Sequence, residues 1–358
     1  MKAEHDIGIY ILTYPGDFYM AQALIESLRY FSPGTPIQII PGDGFVRRQS
    51  PFGDVPIMEE PGGFWSELRA IDKKFWAFAG PFERFLYLDA DILCLKPLEP
   101  FWERLRAASD EKFLFANLYY DVAEWQAVMA NPGDPRHADW RAWVARGMGN
   151  PEQAMDFDPS YDPYARSPFN AGIFAASKAA ITEKMLREQY EAEVRYYREV
   201  LGKEYAWRAN DVFYADQGRL NYYVDKFNIA LHPLGKEGGD LWSGDFDAQI
   251  DLDAVLARRC EHAFIHWAGR RRPSPSYFSQ GPLYRFIANT ETDGHLVAAG
   301  QQRFQDVVGN DVYRHFAKQA GVNMSLGTRL RHTWPDAVRL AKYHWWELKK
   351  PFVKRTGR

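Results

Sequence analysis

An apolar run, Phe85-Leu86-Tyr87-Leu88, ends in Asp89-Ala90-Asp91. In an extended chain residues i and i+2 face the same way, so the two carboxylates can close on one cation. Hard oxygen ligands of this kind suit Mg²⁺ or Mn²⁺, and an ion held with open positions takes its substrate through phosphate oxygens. A metal-bound diphosphate is therefore the first expectation. The same spacing recurs at Asp156/Asp158, Asp245/Asp247 and Asp251/Asp253, but in polar, Pro- or Gly-bearing surroundings with no apolar strand leading in. Those three pairs read as solvated turns or helix caps. At Asp89/Asp91 the carboxylates end a buried strand, where they are costly unless something cationic sits between them.

Three more groups could join this chemistry. His266 closes an apolar run at 263–267 and is followed by Gly269 and by Arg270-Arg271-Arg272-Pro273, a histidine and an arginine cluster in a glycine-containing loop that suits a metal and phosphate site. Asn170 stands at the mouth of the apolar segment Phe169-Asn170-Ala171-Gly172-Ile173-Phe174, and Asp216-Gln217 open or cap a helix.

The elements that must position these side chains follow from periodicity. Residues 7–13 read as a first strand, 18–31 as an amphipathic helix stopped by Ser32-Pro33-Gly34, and 36–41 as a second strand. A Pro/Gly-rich loop leads to a helix over 64–79 and then to the strand that ends at Asp89. Further on come a helix over 97–105, a strand over 112–118, a helix over 178–201 and a strand over 263–267. Alternating strands and helices predict a mostly parallel, doubly wound sheet, which places ligands at the carboxyl ends of its strands, where Thr13 and Asp89 both fall. Residues 119–168 are rich in Trp, Pro, Gly and Asp, with a helix over 140–146 and little other period. An irregular insertion of that length reads as a lid, and its aromatics could stack on an acceptor sugar.

The 358 residues, 46% of them hydrophobic, are ample for one large domain with appendages. A formal net charge of −3 argues against a nucleic-acid binder. Cys94 and Cys260 have no paired spacing, which argues against disulfides or a zinc cluster and makes both small buried hydrophobes. The first apolar run is strand-length and broken by Gly8, too short for a signal-peptide core, and no run approaches a membrane span, so a cytoplasmic protein is expected.

The ordered set Leu88-Asp89-Ala90-Asp91, Phe169-Asn170-Ala171-Gly172, Asp216-Gln217 and His266-x-x-Gly269-x-x-Arg272-Pro273 resembles the GT-A nucleotide-sugar glycosyltransferases, in particular family 8, which includes bacterial lipopolysaccharide galactosyl- and glucosyltransferases and glycogenin. The resemblance spans residues 5–285. It implies a GT-A-like, Rossmann-related α/β domain over 1–285 with 119–168 as acceptor lid, then a helical extension over 286–325. It also implies a retaining hexosyltransferase that uses a UDP-sugar, with Asp89, Asp91 and His266 as ligands of Mn²⁺ (or Mg²⁺). Thr13 and Tyr14 would lie against uracil and ribose. Lys73 or Lys74 would be the basic residue near the donor, and Ala90, Ala171 and Gly269 would complete the donor site. Asn170, Asp216 and Gln217 would face the transferred sugar, and Arg272 would clamp the diphosphate. Two departures stand out: Arg272-Pro273-Ser274 replaces the family's Lys-Pro-Trp, and Tyr14-Pro15 stands where an acidic residue near the base is usual.

The chemistry also follows from the residues. Breaking a sugar–diphosphate bond develops negative charge on the departing oxygens, which a divalent ion and an arginine stabilise. Two rival classes share parts of the pattern. A haloacid-dehalogenase-type phosphatase also puts Asp-x-Asp after a strand, though Ile92 stands where Thr or Val is preferred there. A catalytically silent sugar-binding or assembly protein would use the same fold. Finally, residues 326–358 carry nine basic residues against two acidic ones, interleaved with Trp334, Tyr343, Trp345, Trp346 and Phe352. That pattern predicts peripheral attachment to anionic lipid at the inner membrane face, where a glycan or lipid-linked acceptor of cell-surface synthesis would be met.

Overall fold

The computed structural model describes residues 6–15, 18–47, 52–205, 211–238, 240–242 and 258–266, which all belong to one unit of the chain. Gly269, Arg272, the Asp-x-Asp pairs at 245/247 and 251/253, the extension over 286–325 and the basic tail over 326–358 lie outside the described residues.

Strand β1 (Ile7–Thr13) is buried along its whole length, as its unbroken apolar run demands. It is flanked in parallel by β2 (Ile37–Pro41) and β3 (Arg84–Asp89), in a register that sets Thr13 beside Pro41 and Leu12 beside Asp89. Three further strands, β5 (Phe113–Leu118), β6 (Phe169–Ser177) and β7 (Ala230–Pro233), complete a six-stranded sheet of order β2-β1-β3-β6-β5-β7. β6 is antiparallel to both neighbours, so five of the six strands share one direction. The reversal matters for function, because the start of β6 lies on the edge where the other strands end, and Asn170 arrives there beside Asn117.

Asp89 is the last residue of β3, and Ala90-Asp91 turn the chain into a second, three-stranded sheet. There β4 (Ile92–Cys94) pairs antiparallel with β9 (Phe264–His266), and β8 (Asp240–Trp242) flanks β9. The register sets His266 opposite Ile92, next to Asp91.

Helix α1 (Phe18–Phe31) forms as its periodicity predicts, and α2 (Glu99–Ala107) lies two residues later than the sequence reading. The expected helix over 64–79 is instead two 3₁₀ segments, Gly63–Glu67 and Ala70–Ala79, separated at Leu68-Arg69, with Ala70 in the left-handed region at φ 50°. A ten-residue 3₁₀ run is long for a conformation usually met in single turns. Seven of its residues are buried, and tertiary packing supplies what its hydrogen-bond geometry lacks. The helix expected over 178–201 is a short 3₁₀ turn at Lys178–Ala180 followed by α6 (Glu183–Glu199), capped by Thr182.

The insertion is more regular than its sequence suggests. It holds α3 (Val122–Met129), capped by the Asp121 carboxylate, α4 (His137–Gly147), and α5 (Pro151–Phe157), capped by Asn150. Their aromatics pack chiefly on one another: Tyr120 stacks on Trp140 at 4.0 Å between ring centroids, and Trp125 on Trp140 at 5.4 Å. The insertion is docked on the segment that leads into α7 (Ala215–Lys226), where Asn150 N–H donates to Val212 O and Tyr214 N–H to Met148 O. Gly149, at φ 124°, is essential to that approach, since a Cβ would meet Val212 O at 2.3 Å. Asp156 and Asp158 act structurally, but Asp158 is buried and ion-paired with Lys226 rather than part of a solvated turn. Asp156 accepts from Tyr196, while Asp158 accepts from Ser160, Tyr222 and Lys226. Cys94 and Cys260 are both buried. Among the described residues, no helix is long and apolar enough to cross a membrane.

The docking of the insertion is testable at Gly218, in the first turn of α7, where an added Cβ would lie 2.1 Å from Met148 O. Gly218→Ala should cost about 1–3 kcal/mol in urea unfolding. Gly62→Ala, with nothing within 4 Å, should stay within about 0.5 kcal/mol. Equal effects at the two positions would contradict the packing described.

Candidate active site

Three potential ligand atoms, one each from Asp89, Asp91 and His266, lie within 4.8 Å of one another. The turn Ala90-Asp91 after β3 and the β4–β9 register bring them together; the sequence predicts this convergence, but Asp91 stands in that turn rather than on an extended strand. His266 Nε2 is 3.5 Å from Asp91 Oδ1, both side chains being buried, while Asp89 keeps 27% of its side chain exposed. Tyr87, two residues before Asp89 on the same face, donates its hydroxyl to Asp89 Oδ1 at 2.6 Å and so orients the carboxylate. Gly172 leaves the space open, for a Cβ there would lie 2.5 Å from His266 Cε1 and 2.9 Å from both Asp89 Oδ2 and Asn170 Oδ1.

Of the two candidate lysines, the structure brings in Lys74. Its ammonium, with 1% of the side chain exposed, pairs with Asp216, lies 3.7 Å from Asp89 and donates to Ala171 O at 2.8 Å. Burial disfavours a charged lysine, yet the carboxylates of Asp216 and Asp89 outweigh it and raise the ammonium's pKa. Lys73 turns elsewhere, to Asp43 at 2.9 Å and over the Trp76 ring. Thr13 is buried at the end of β1. Half-buried Tyr14 lies over Gly42, where an added Cβ would meet its ring at 2.4 Å. Ala90 is buried in the turn between the two aspartates.

Asp216 opens α7 immediately after Ala215, a non-glycine residue at φ 49°. Gln217 beside it donates its Nε2 to Gly147 O at 3.1 Å and accepts from the Tyr119 hydroxyl at 3.3 Å. Asn170 donates its Nδ2 to the same hydroxyl at 3.1 Å.

Behind Lys74 lies a second buried charge group, which the sequence reading missed because its members are far apart in the chain. Arg219 Nη1 is 3.5 Å from Asp72, Arg219 Nε is 3.2 Å from Glu193, and all three side chains are at most 3% exposed. The combined set holds five carboxylates (Asp72, Asp89, Asp91, Glu193 and Asp216) but two permanent cations, Lys74 and Arg219. Burial, with Asp91 and Asp216 adding to it, pushes the Asp89 carboxyl above its ordinary value against the pull of Lys74 and His266. A divalent cation among two carboxylates and an imidazole would relieve that excess, and the donor set matches Mn²⁺ or Mg²⁺ with a tilt toward Mn²⁺. The residues present therefore fit the metal the sequence called for.

No protein-family model matches the chain, and no curated protein does. Solved structures do superpose on it. The galactosyltransferase LgtC, in complex with donor and acceptor sugar analogs, matches at 12% identity and TM-score 0.45, over 87% of this chain and 99% of that one. The bifunctional glycosyltransferase WbbM matches at 15% identity and TM-score 0.45, over 83% of this chain and 51% of that one. The glycosyltransferase GlyE of Streptococcus pneumoniae TIGR4 matches at 13% and 0.43, over 84% and 64%. Likenesses this loose carry no argument about activity, which rests on the site itself.

The excess of buried carboxylates has a pH signature. Burial pushes the Asp72 carboxyl up to about 7, with Asp216 and Glu193 adding to the effect and Arg219 and Lys74 opposing it. Between the ordinary 3.8 and about 7 the folded state keeps a proton that the unfolded chain has released, so this group's contribution to stability declines as pH rises through that window. Asp72→Asn imitates the protonated acid. In urea unfolding the variant should gain on the parent by roughly 1–3 kcal/mol between about pH 5 and about pH 8. Parallel stability curves would contradict the assignment.

Proposed function

We propose that this protein is a metal-dependent retaining glycosyltransferase that moves a hexose from a UDP-sugar to a glycan or lipid-linked acceptor. The observation that carries the reading is the convergence of Asp89, Asp91 and His266 with the Lys74–Asp216 pair at the carboxyl edge of the sheet. Ligands bind at such edges in α/β folds.

In this reading Asp89, Asp91 and His266 hold the cation. When bound, it supplies positive charge where the leaving diphosphate becomes more negative. Lys74 holds Asp89 and Asp216 in place and stays charged because both face it. Thr13 and Tyr14 lie at the end of β1, the position for a nucleoside, and Ala90, Ala171 and Gly269 complete the donor site. Asn170, Asp216 and Gln217 bind and orient the transferred sugar near its reacting carbon. Arg272, three residues after Gly269 in the sequence, is assigned the charge left on the departing diphosphate, which a planar guanidinium can grip through two oxygens. The resemblance in sequence motifs supports retention and the UDP donor, and the docked insertion over 119–168 supports an acceptor on that side.

The phosphatase reading has less support, because Ile92 stands where that class prefers Thr or Val. A silent assembly protein would share the binding site but not the turnover.

The full-length chain tests this directly. Mn²⁺ with UDP should raise its melting temperature by several degrees more than either alone, since a ligand of the folded state stabilises it by mass action. One UDP-hexose should be hydrolysed slowly in a metal-dependent manner. Asp91→Asn should abolish both effects while leaving the metal-free melting temperature unchanged or higher, because a buried carboxylate is removed. A metal-dependent UDP shift retained in Asp91→Asn would sink the site assignment, and a shift without any turnover would favour the silent protein. For the tail, deletion of residues 326–358 should abolish binding to anionic liposomes at low salt and spare donor hydrolysis. Equal binding by both forms would remove the membrane anchor from the account.

A further inference from the structure

Tyr119 was not among the residues that the sequence singled out, yet its hydroxyl joins two that were. β5 carries a bulge between Ala116 and Asn117, after which Asn117 stands beside Asn170 and Leu118 beside Phe169. Tyr119 follows at once and is tied back by its N–H to Pro168 O at 2.9 Å. The bulge re-aims the strand end, and the phenol ring comes to rest against Trp143 of the insertion, with centroids 4.3 Å apart.

The hydrogen bonds around that hydroxyl have one consistent set of directions. A backbone N–H only donates, so the Asn170 atom facing Gly172 N at 2.6 Å must be Oδ1, and Nδ2 is then the atom facing Tyr119. A backbone carbonyl only accepts, so the Gln217 atom facing Gly147 O at 3.1 Å must be Nε2, and Oε1 faces Tyr119. The Tyr119 hydroxyl therefore accepts from Asn170 and donates to Gln217. Phenylalanine could do neither. One N–H of each amide and one lone pair of each amide oxygen remain for a ligand, and Asn170 Oδ1 borders the same open space at Gly172 as Asp89 and His266.

We propose that Tyr119 is a positioning residue whose hydroxyl fixes the directions of the Asn170 and Gln217 amides, so that together they offer a set pattern of donors and acceptors to the hydroxyls of the transferred sugar. The proposal rests on the glycosyltransferase reading for the identity of the ligand, but not for the hydrogen-bond chain itself. It also gives the insertion a role at the donor, since Gly147 and Trp143 hold Gln217 and Tyr119 respectively.

Tyr119→Phe in the full-length chain keeps the ring and its packing on Trp143 and removes one oxygen. With asparagine and glutamine side chains isotope-labelled, the NMR signals of the two amides can be assigned by their loss in Asn170→Asp and Gln217→Glu. Tyr119→Phe should shift both pairs of amide signals while the other side-chain amides keep theirs. Donor turnover should fall roughly tenfold in kcat with KM within about twofold, because a misdirected amide costs more in the transition state than in the bound donor. Amide signals that do not move would overturn the proposal, and so would shifted signals with kcat kept at the parent level. If the parent chain turns over no nucleotide sugar, the glycosyltransferase reading falls, while the amide signals still decide whether Tyr119 directs Asn170 and Gln217.

Discussion

A lysine with 1% of its side chain exposed keeps its charge only where carboxylates surround it, and the position of Lys74 between Asp216 and Asp89 is the constraint on which the site depends. The ammonium draws the start of α7 onto the end of β3, two elements far apart in sequence, and Ala171 O from β6 accepts a further hydrogen bond from Lys74. Removing the ammonium would leave two partly buried acids facing each other. Keeping it still leaves more carboxylate than cation, once Asp72 and Glu193 behind it are counted against Arg219. On the proposed reading a bound cation near Asp89 would offset that imbalance, and deeper in, where burial raises the Asp72 carboxyl's pKa, a proton relieves it further.

Direction within the sheet explains how one edge collects every described member of the site. β1 and β3 end there, and β6, running the opposite way, begins there. Had β6 been parallel, Asn170 would lie at the far edge. His266 comes from the smaller sheet, through the single turn Ala90-Asp91 that passes the chain from β3 to β4. Two of the four non-glycine residues with positive φ among the described residues fall at the same places. Ala70 opens the 3₁₀ run that carries Asp72 and Lys74, and Ala215 directly precedes Asp216, each with positive φ. Such positions persist where surrounding packing holds them, and they concentrate at functional sites.

How far the sequence disclosed this arrangement depends on what kind of contact made it. The carboxylate pair at Asp89 and Asp91 was legible because an apolar strand ending in two near acids is a local signal, although Asp91 falls in the turn after β3, and β1, α1 and β3 were legible because their periodicity is local too. The choice between Lys73 and Lys74 was not, since it turns on the phase of a 3₁₀ run that was read as an ordinary helix. The antiparallel sense of β6 was hidden, because an apolar run has no direction in its composition. Tyr119 was hidden because its partners are 51 and 98 residues away. Of the insertion's helices, α4 was legible over 140–146, whereas α3 was obscured because Trp125 packs on Tyr120 and Trp140 rather than on the main core, and α5 because it is only seven residues long.

The central claim is that the carboxylate–imidazole cluster holds a divalent ion that also touches the donor's phosphates. Pulsed electron paramagnetic resonance on the full-length protein loaded with Mn²⁺ reads both contacts at once. The account predicts nitrogen modulation from the His266 imidazole in the loaded protein, lost in His266→Ala, and phosphorus coupling that appears when UDP is added. A Mn²⁺ signal with neither coupling, unchanged by UDP, would contradict it.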